Sequence, residues 1–232
     1  MVIQDYPVSE RPTWQLISTE LLAFAAAGVL YPFGLRAATK RSPRKAKQRT
    51  VVLVPGYLSN RSIFLLLSAY LKMNGVSQVL VFDYRSSAGI EQGARELKEF
   101  LRKHVRGGKV DLVCHSLGGL LARVYLQELG GARRVDRCIT LGTPHLGTYN
   151  AYWVPTRIGR ELRPDSPLLK RLEQSRSNAK KVRFTSIVAG SDNIIIPRIF
   201  SAVDETVHLP NVGHVGMIFS PAAYRVIAER LS

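Results

Sequence analysis

From Thr50 onward, short apolar runs alternate with longer stretches of helical spacing. Val51-Val52-Leu53-Val54 is a continuous apolar run, mostly β-branched and ended by Pro55-Gly56, which reads as a buried strand. Helical spacing follows over 62–73 and stops at Asn74-Gly75, and 79–82 is the next strand. Ala94, Leu97 and Leu101 share one face of a helix predicted over 90–104, which ends before Gly107-Gly108. A third strand over 110–114 leads into a helix over 117–129, closed by Gly130-Gly131. Strands over 137–141 and 182–188 and a short one over 206–209 bring the number to six. A final helix over 221–231 opens with Pro in its first turn. This alternation predicts an α/β fold, a mostly parallel sheet of about six strands with helices on both faces. In such sheets the functional groups collect beyond the carboxyl ends of the strands.

Two segments break the rhythm. Residues 144–181 lack a strand and hold Tyr149, Tyr152 and Trp153 ahead of a basic helical run over 166–176. A long insertion of this kind is expected to be functional, as a lid. The other is apolar over 21–35, extended less cleanly back to Trp14, with Glu20 and Pro32 as interruptions. It approaches the roughly 20 apolar residues that a membrane span needs. Lys40, Arg41, Arg44, Lys45, Lys47 and Arg49 follow directly. If the segment spans, that cluster keeps the following domain on the cytoplasmic side; if it lies flat, the cluster helps bind an anionic leaflet. The expected organisation is therefore a hydrophobic helix and basic linker over 1–49, then a catalytic domain over 50–232. The expected location is the cytoplasm or the cytoplasmic side of the inner membrane.

Composition adds a charge. Lys and Arg number 33 against 17 Asp and Glu, for a net +16, which favours anionic partners. The aromatics are not interleaved with the basic runs, so no specific nucleic-acid module is expected. The two cysteines, Cys114 and Cys138, lie in apolar runs and read as buried, reduced thiols, which excludes a disulfide scaffold.

The chemistry centres on Cys114-His115-Ser116-Leu117-Gly118-Gly119, which joins a strand to a helix at one sharp turn. This is the setting of a nucleophile elbow, general form G-x-S-x-G, in which a strained serine is lifted clear of the sheet and its neighbours must be small. Gly118 and Gly119 meet that need, and Cys114 stands where Gly is usual. The helix amino terminus beside Ser116 favours a developing negative charge. A serine hydroxyl needs a base, and in this fold the acid and then the histidine follow the nucleophile in the chain. His104 and His208 fall within predicted elements, and strand alternation turns His115 away from the serine. His214, in a Gly-flanked loop after the last strand, is favoured over His145, which is near the site but early in chain order. Asp192, after the fifth strand, is the candidate acid; Asp165 and Asp204 read as caps or turns. The N–H of Leu117 and that of Tyr57, in the Gly56 turn after the first strand, are the candidate oxyanion donors.

These segments resemble the small bacterial lipase/esterase branch of the α/β-hydrolases, from about Thr50 to the carboxyl end. Residues 51–57 resemble its first strand and oxyanion loop, with Pro55 where His is common; residues 112–119 resemble its elbow. Residues 141–148 resemble its G-T-P-H-x-G segment, and 162–169 a stretch near its lid. The resemblance implies hydrolysis of a carboxylic ester or acyl-lipid through an acyl-enzyme, with no metal or cofactor. It also implies that Gly56, His115 and His145 neighbour the substrate site. An acyltransferase or thioesterase would use the same triad, and a non-catalytic module binding membranes or other anions is the rival of another class.

Overall fold

The computed structural model describes residues 2–5, 12–35, 49–105, 107–196 and 204–232. Seven parallel strands form one sheet: β1 (Val2–Asp5), β2 (Thr50–Val54), β3 (Gln78–Val81), β4 (Val110–His115), β5 (Val135–Leu141), β6 (Arg183–Ala189) and β7 (Glu205–Leu209). Their order is β1-β7-β6-β5-β4-β2-β3. The six strands expected from the apolar runs are all present. The seventh, β1, pairs in parallel with β7 along the sheet edge. The amino-terminal segment is thus stitched into the sheet and is not merely a helix and linker beside it.

The helices are α1 (Thr13–Leu35), α2 (Leu65–Met73), α3 (Ile90–His104), α4 (Leu117–Glu128), α5 (Arg157–Leu162), α6 (Pro167–Gln174) and α7 (Pro221–Leu231). Successive strand residues point to opposite faces, so each continuous apolar run feeds two cores. Val52, Val54, Leu112, Cys114 and Cys138 pack with α3 to α6. Val51, Leu53, Val113, Ile139 and Leu141 pack with α2, α7 and one side of α1. Cys114 and Cys138 are both buried and free.

The insertion after β5 divides in two. Ile158, Leu168, Leu169 and Leu172 are buried in the core on the α4 side, and Arg123 of α4 donates to the Leu172 carbonyl at 3.1 Å. That half covers the sheet as an ordinary crossover does. Within the 144–181 insertion expected to act as a lid, the 3₁₀ segment Tyr149–Trp153 is the more open half and leaves Trp153 86% exposed. Of the basic cluster, all but Arg49 lies outside the described residues. Arg49 itself forms an ion pair with Asp111 on β4. Burial pushes the Asp111 carboxyl up to about 6, and Arg49 opposes that rise.

Candidate active site

Because all strands run the same way, the loops after β2, β4, β5, β6 and β7 gather at one edge. Ser116 follows β4 there with φ 52° and ψ −123°, as the residue before α4. A positive φ on a non-glycine residue costs of order 1–3 kcal/mol, held here by the surrounding packing. Ser116 N–H donates to the Leu141 carbonyl at 2.8 Å, and Thr143 Oγ1 donates to the Ser116 carbonyl at 2.9 Å. The small residues beside the elbow have steric causes. A Cβ on Gly118 would overlap the Val54 and Pro55 carbonyls, and one on Gly119 would overlap Thr143.

His214 follows β7 and is 3% exposed; its Nδ1 lies 2.7 Å from Asp192 Oδ2, in the loop after β6. The other carboxylate oxygen of Asp192 accepts from the N–H groups of Ile194 and Ile195, at 2.9 and 2.8 Å. Burial alone would raise the Asp192 carboxyl. The His214 hydrogen bond and charge, with the two N–H donors, outweigh it and hold the group below its ordinary value. Segment 141–143 is the common wall. Leu141 and Thr143 bond the Ser116 backbone, and a Cβ on Gly142 would come 3.0 Å from His214 Nδ1.

The two oxyanion candidates lie on the two segments that adjoin the serine. Leu117 is the first residue of α4, and the helix begins with Gly119 N–H donating to the Ser116 carbonyl at 3.1 Å. Tyr57 sits in the loop after β2, which Tyr84 braces by donating its hydroxyl to the Pro55 carbonyl at 3.1 Å. The next N–H, that of Leu58, is taken by Ser86 Oγ at 3.1 Å. Gly56 lets this loop lean on the elbow, since a Cβ there would come 3.0 Å from Ser116 Cβ. A serine on a strained turn, a carboxylate-held imidazole and a helix amino terminus at one edge can together perform acyl transfer.

The neighbouring histidines differ from each other. His115 lies under the base loop, as its Nε2 bonds the His214 carbonyl at 3.2 Å and the two rings are 4.9 Å apart. Burial, with His214 nearby, pushes His115 down to about 3, so its ring is neutral and Nε2 carries the proton. His145 of the G-T-P-H-x-G segment, which the resemblance implies neighbours the site, donates its N–H to the Thr143 carbonyl at 2.8 Å. Its ring turns into the α4 face, 3.1 Å from Thr140 Oγ1 and edge-on to Phe184, where burial and then Arg123 hold it neutral. From that segment the structure brings Gly142 and Thr143 to the elbow, in place of the His145 ring.

The family model for palmitoyl protein thioesterase matches residues 77–201, more than half of the chain and including Ser116 and Asp192. The chain belongs to the palmitoyl protein thioesterase family. Solved structures agree on the fold of this family member. The mature Bacillus licheniformis lipase BlEst2 superposes with a TM-score of 0.67 at 16% identity, over 83% of this chain and 96% of that one. A monoacylglycerol lipase from Paleococcus ferrophilus gives 0.59 at 18% identity, over 84% and 97%. Phospholipase PlaB from Legionella pneumophila gives 0.65 at 13%, over 78% and 59%. The fold is that of the α/β-hydrolases, and this member of the thioesterase family is an ester hydrolase.

The contacts of Glu20, which read only as an interruption of an apolar run, and of Asn60 were not legible in the sequence. Glu20 Oε1 and Oε2 accept from the N–H groups of Val215 and Gly216, just after His214. Asn60 Nδ2, three residues after Tyr57, donates to the Tyr31 carbonyl at 2.8 Å. No local pattern signals either contact, because both partners lie far away along the chain.

Proposed function

We propose that Ser116, His214 and Asp192 act in that hydrolysis as nucleophile, general base and orienting acid. The 2.7 Å bond between His214 Nδ1 and Asp192 Oδ2, at the edge where the strained elbow lifts Ser116, carries this reading. Ionised Asp192 keeps a proton on Nδ1 and leaves Nε2 to take the Ser116 proton. The serine oxygen attacks the acyl carbon, and the Leu117 and Tyr57 N–H groups hold the oxyanion. Each donor contributes about 3–4 kcal/mol to the transition state. The imidazolium returns its proton to the leaving alcohol or thiol. Water, deprotonated by the same ring, then attacks the acyl-enzyme and frees the acid.

The substrate is an acyl ester met at an anionic lipid surface. Exposed large apolar side chains support this, because most of them lie on α1 or in the carboxyl-edge loops: Leu58, Tyr149, Tyr152, Trp153 and Ile196. Such patches mark membrane or ligand contacts. By length and composition α1 would also suit a span, with a mean hydropathy of 1.6 over Thr13–Gly34. A second reading, an S-acyl thioester, is favoured by the family match.

A fluorophosphonate probe is expected to label the protein and to fail on Ser116→Ala. Equal labelling of both would overturn the nucleophile, and no labelling of either would favour a binding module. On a series of p-nitrophenyl esters from acetyl to palmitoyl, kcat/KM rises with chain length and rises further with phosphatidylglycerol vesicles. Activity confined to short esters and indifferent to vesicles would overturn the lipid surface. Faster cleavage of an octanoyl thioester than of its oxyester would select the second reading. Product partitioning at rising alcohol concentration separates hydrolysis from acyl transfer.

A further inference from the structure

Helix α1 docks in an inverted way. Ala23 and Ala27 pack against the α2–α7 core, Gly34 lies against Asn60, and Trp14, Leu21, Leu22, Val29 and Phe33 face outward. Glu20 lies in the docked stripe and is 8% exposed. Its carboxylate accepts from Val215 N–H at 2.7 Å and from Gly216 N–H at 2.9 Å, the two amides that follow His214. Those amides open the 3₁₀ turn Gly216–Phe219, so the carboxylate caps it from another element. The His214 carbonyl is held from the other side by His115. One turn from its far end, α1 also receives Asn60, beside the Tyr57 loop.

We propose that Glu20 is a positioning residue for His214, which makes α1 part of the catalytic apparatus; this rests on the triad reading above. Two charge-assisted bonds on adjacent backbone amides fix the base loop on both axes. Without the carboxylate, two largely buried N–H groups lose their acceptor and the loop must shift to satisfy them. A displacement of about 1 Å at a reacting group costs about 100-fold in rate.

The test uses the full chain, with kcat and KM on p-nitrophenyl butyrate and amide hydrogen exchange at Val215 and Gly216. Glu20→Ala should lower kcat about 30- to 100-fold with KM within about twofold, since substrate binding is untouched. Exchange at both amides should quicken about tenfold or more. Glu20→Gln, which keeps the shape and one carbonyl acceptor, should recover part of kcat. Unchanged kcat, a loss in KM alone, or unchanged exchange would overturn the proposal. If Glu20→Ala does not fold, Gly213→Ala probes the same contact, because its Cβ would overlap Glu20 Oε2. It should lower kcat in the same direction. A wild-type chain that neither hydrolyses nor takes the fluorophosphonate probe would refute the triad. Exchange at Val215 and Gly216 would still decide whether Glu20 holds the loop.

Discussion

Asp192 and His214 meet at 2.7 Å, yet their loops are held in opposite ways. The acid loop is stitched many times to the segment after β5. Thr148 Oγ1 donates to the Ile194 carbonyl and accepts from Ile196 N–H, Asn150 Nδ2 reaches the Ile194 carbonyl, and Tyr149 N–H bonds Ile196. The base loop has backbone ties too, from Ser191 N–H to the Val212 carbonyl and from Met217 N–H to the Gly213 carbonyl. The backbone groups at and just after His214, however, bond side chains from distant elements, His115 beneath and Glu20 beside. Where contacts are redundant, removing one is absorbed by the rest. Where the ties sit directly beside His214, their loss is felt at the imidazole.

The largest effect is expected where the two loops meet. Asp192→Asn reverses the demand for a proton on His214 Nδ1 and should lower kcat about 10⁴-fold, with the fold intact by circular dichroism. A loss below tenfold would refute Asp192 as the acid. Next comes His115→Leu, which leaves the His214 carbonyl without its donor and should lower kcat about tenfold. This variant also carries a pH signature. The folded state holds His115 at about 3, against about 6.5 when unfolded, so the unfolded chain binds the proton first as pH falls. Stability from this group is complete above pH 6.5 and declines below it, by about 2 kcal/mol at pH 5. Melting at pH 7 and pH 5 should show a smaller acid loss in His115→Leu than in the wild type. An equal loss would contradict a buried, neutral His115. The smallest effect is Thr148→Val, which deletes two bonds of the acid loop yet should lower kcat no more than about threefold. If it costs more than His115→Leu, the contrast between the loops fails.

The sequence was most legible where cause and effect lie close together in the chain. The helices expected over 90–104 and 221–231 match α3 and α7, since their spacing and end signals are local. The elbow was legible because a strained turn between strand and helix needs small neighbours within a few residues. Chain order then singled out the acid and histidine that meet in the folded structure. Distant pairings left no such trace. Val2–Asp5 has too few apolar residues to announce a strand, and only β7 gives it a place. Glu20 read as a blemish in an apolar run because its partners lie 195 and 196 residues away. The orientation of the His145 ring was illegible for another reason: a motif fixes where the backbone goes, while packing against Thr140 and Phe184 decides where the ring points.

The pairing of β1 with β7 has a consequence for synthesis. Val2 leaves the ribosome about two hundred residues ahead of its partner Glu205. Contacts so distant along the chain form late, after the loop-closure entropy has been overcome. Only a few residues separate β7 from His214, so the base loop and the edge strand are completed together. A nascent chain therefore carries its strained serine well before it carries His214, the base proposed to deprotonate it. On the proposed triad, activity arrives with the closing of the sheet.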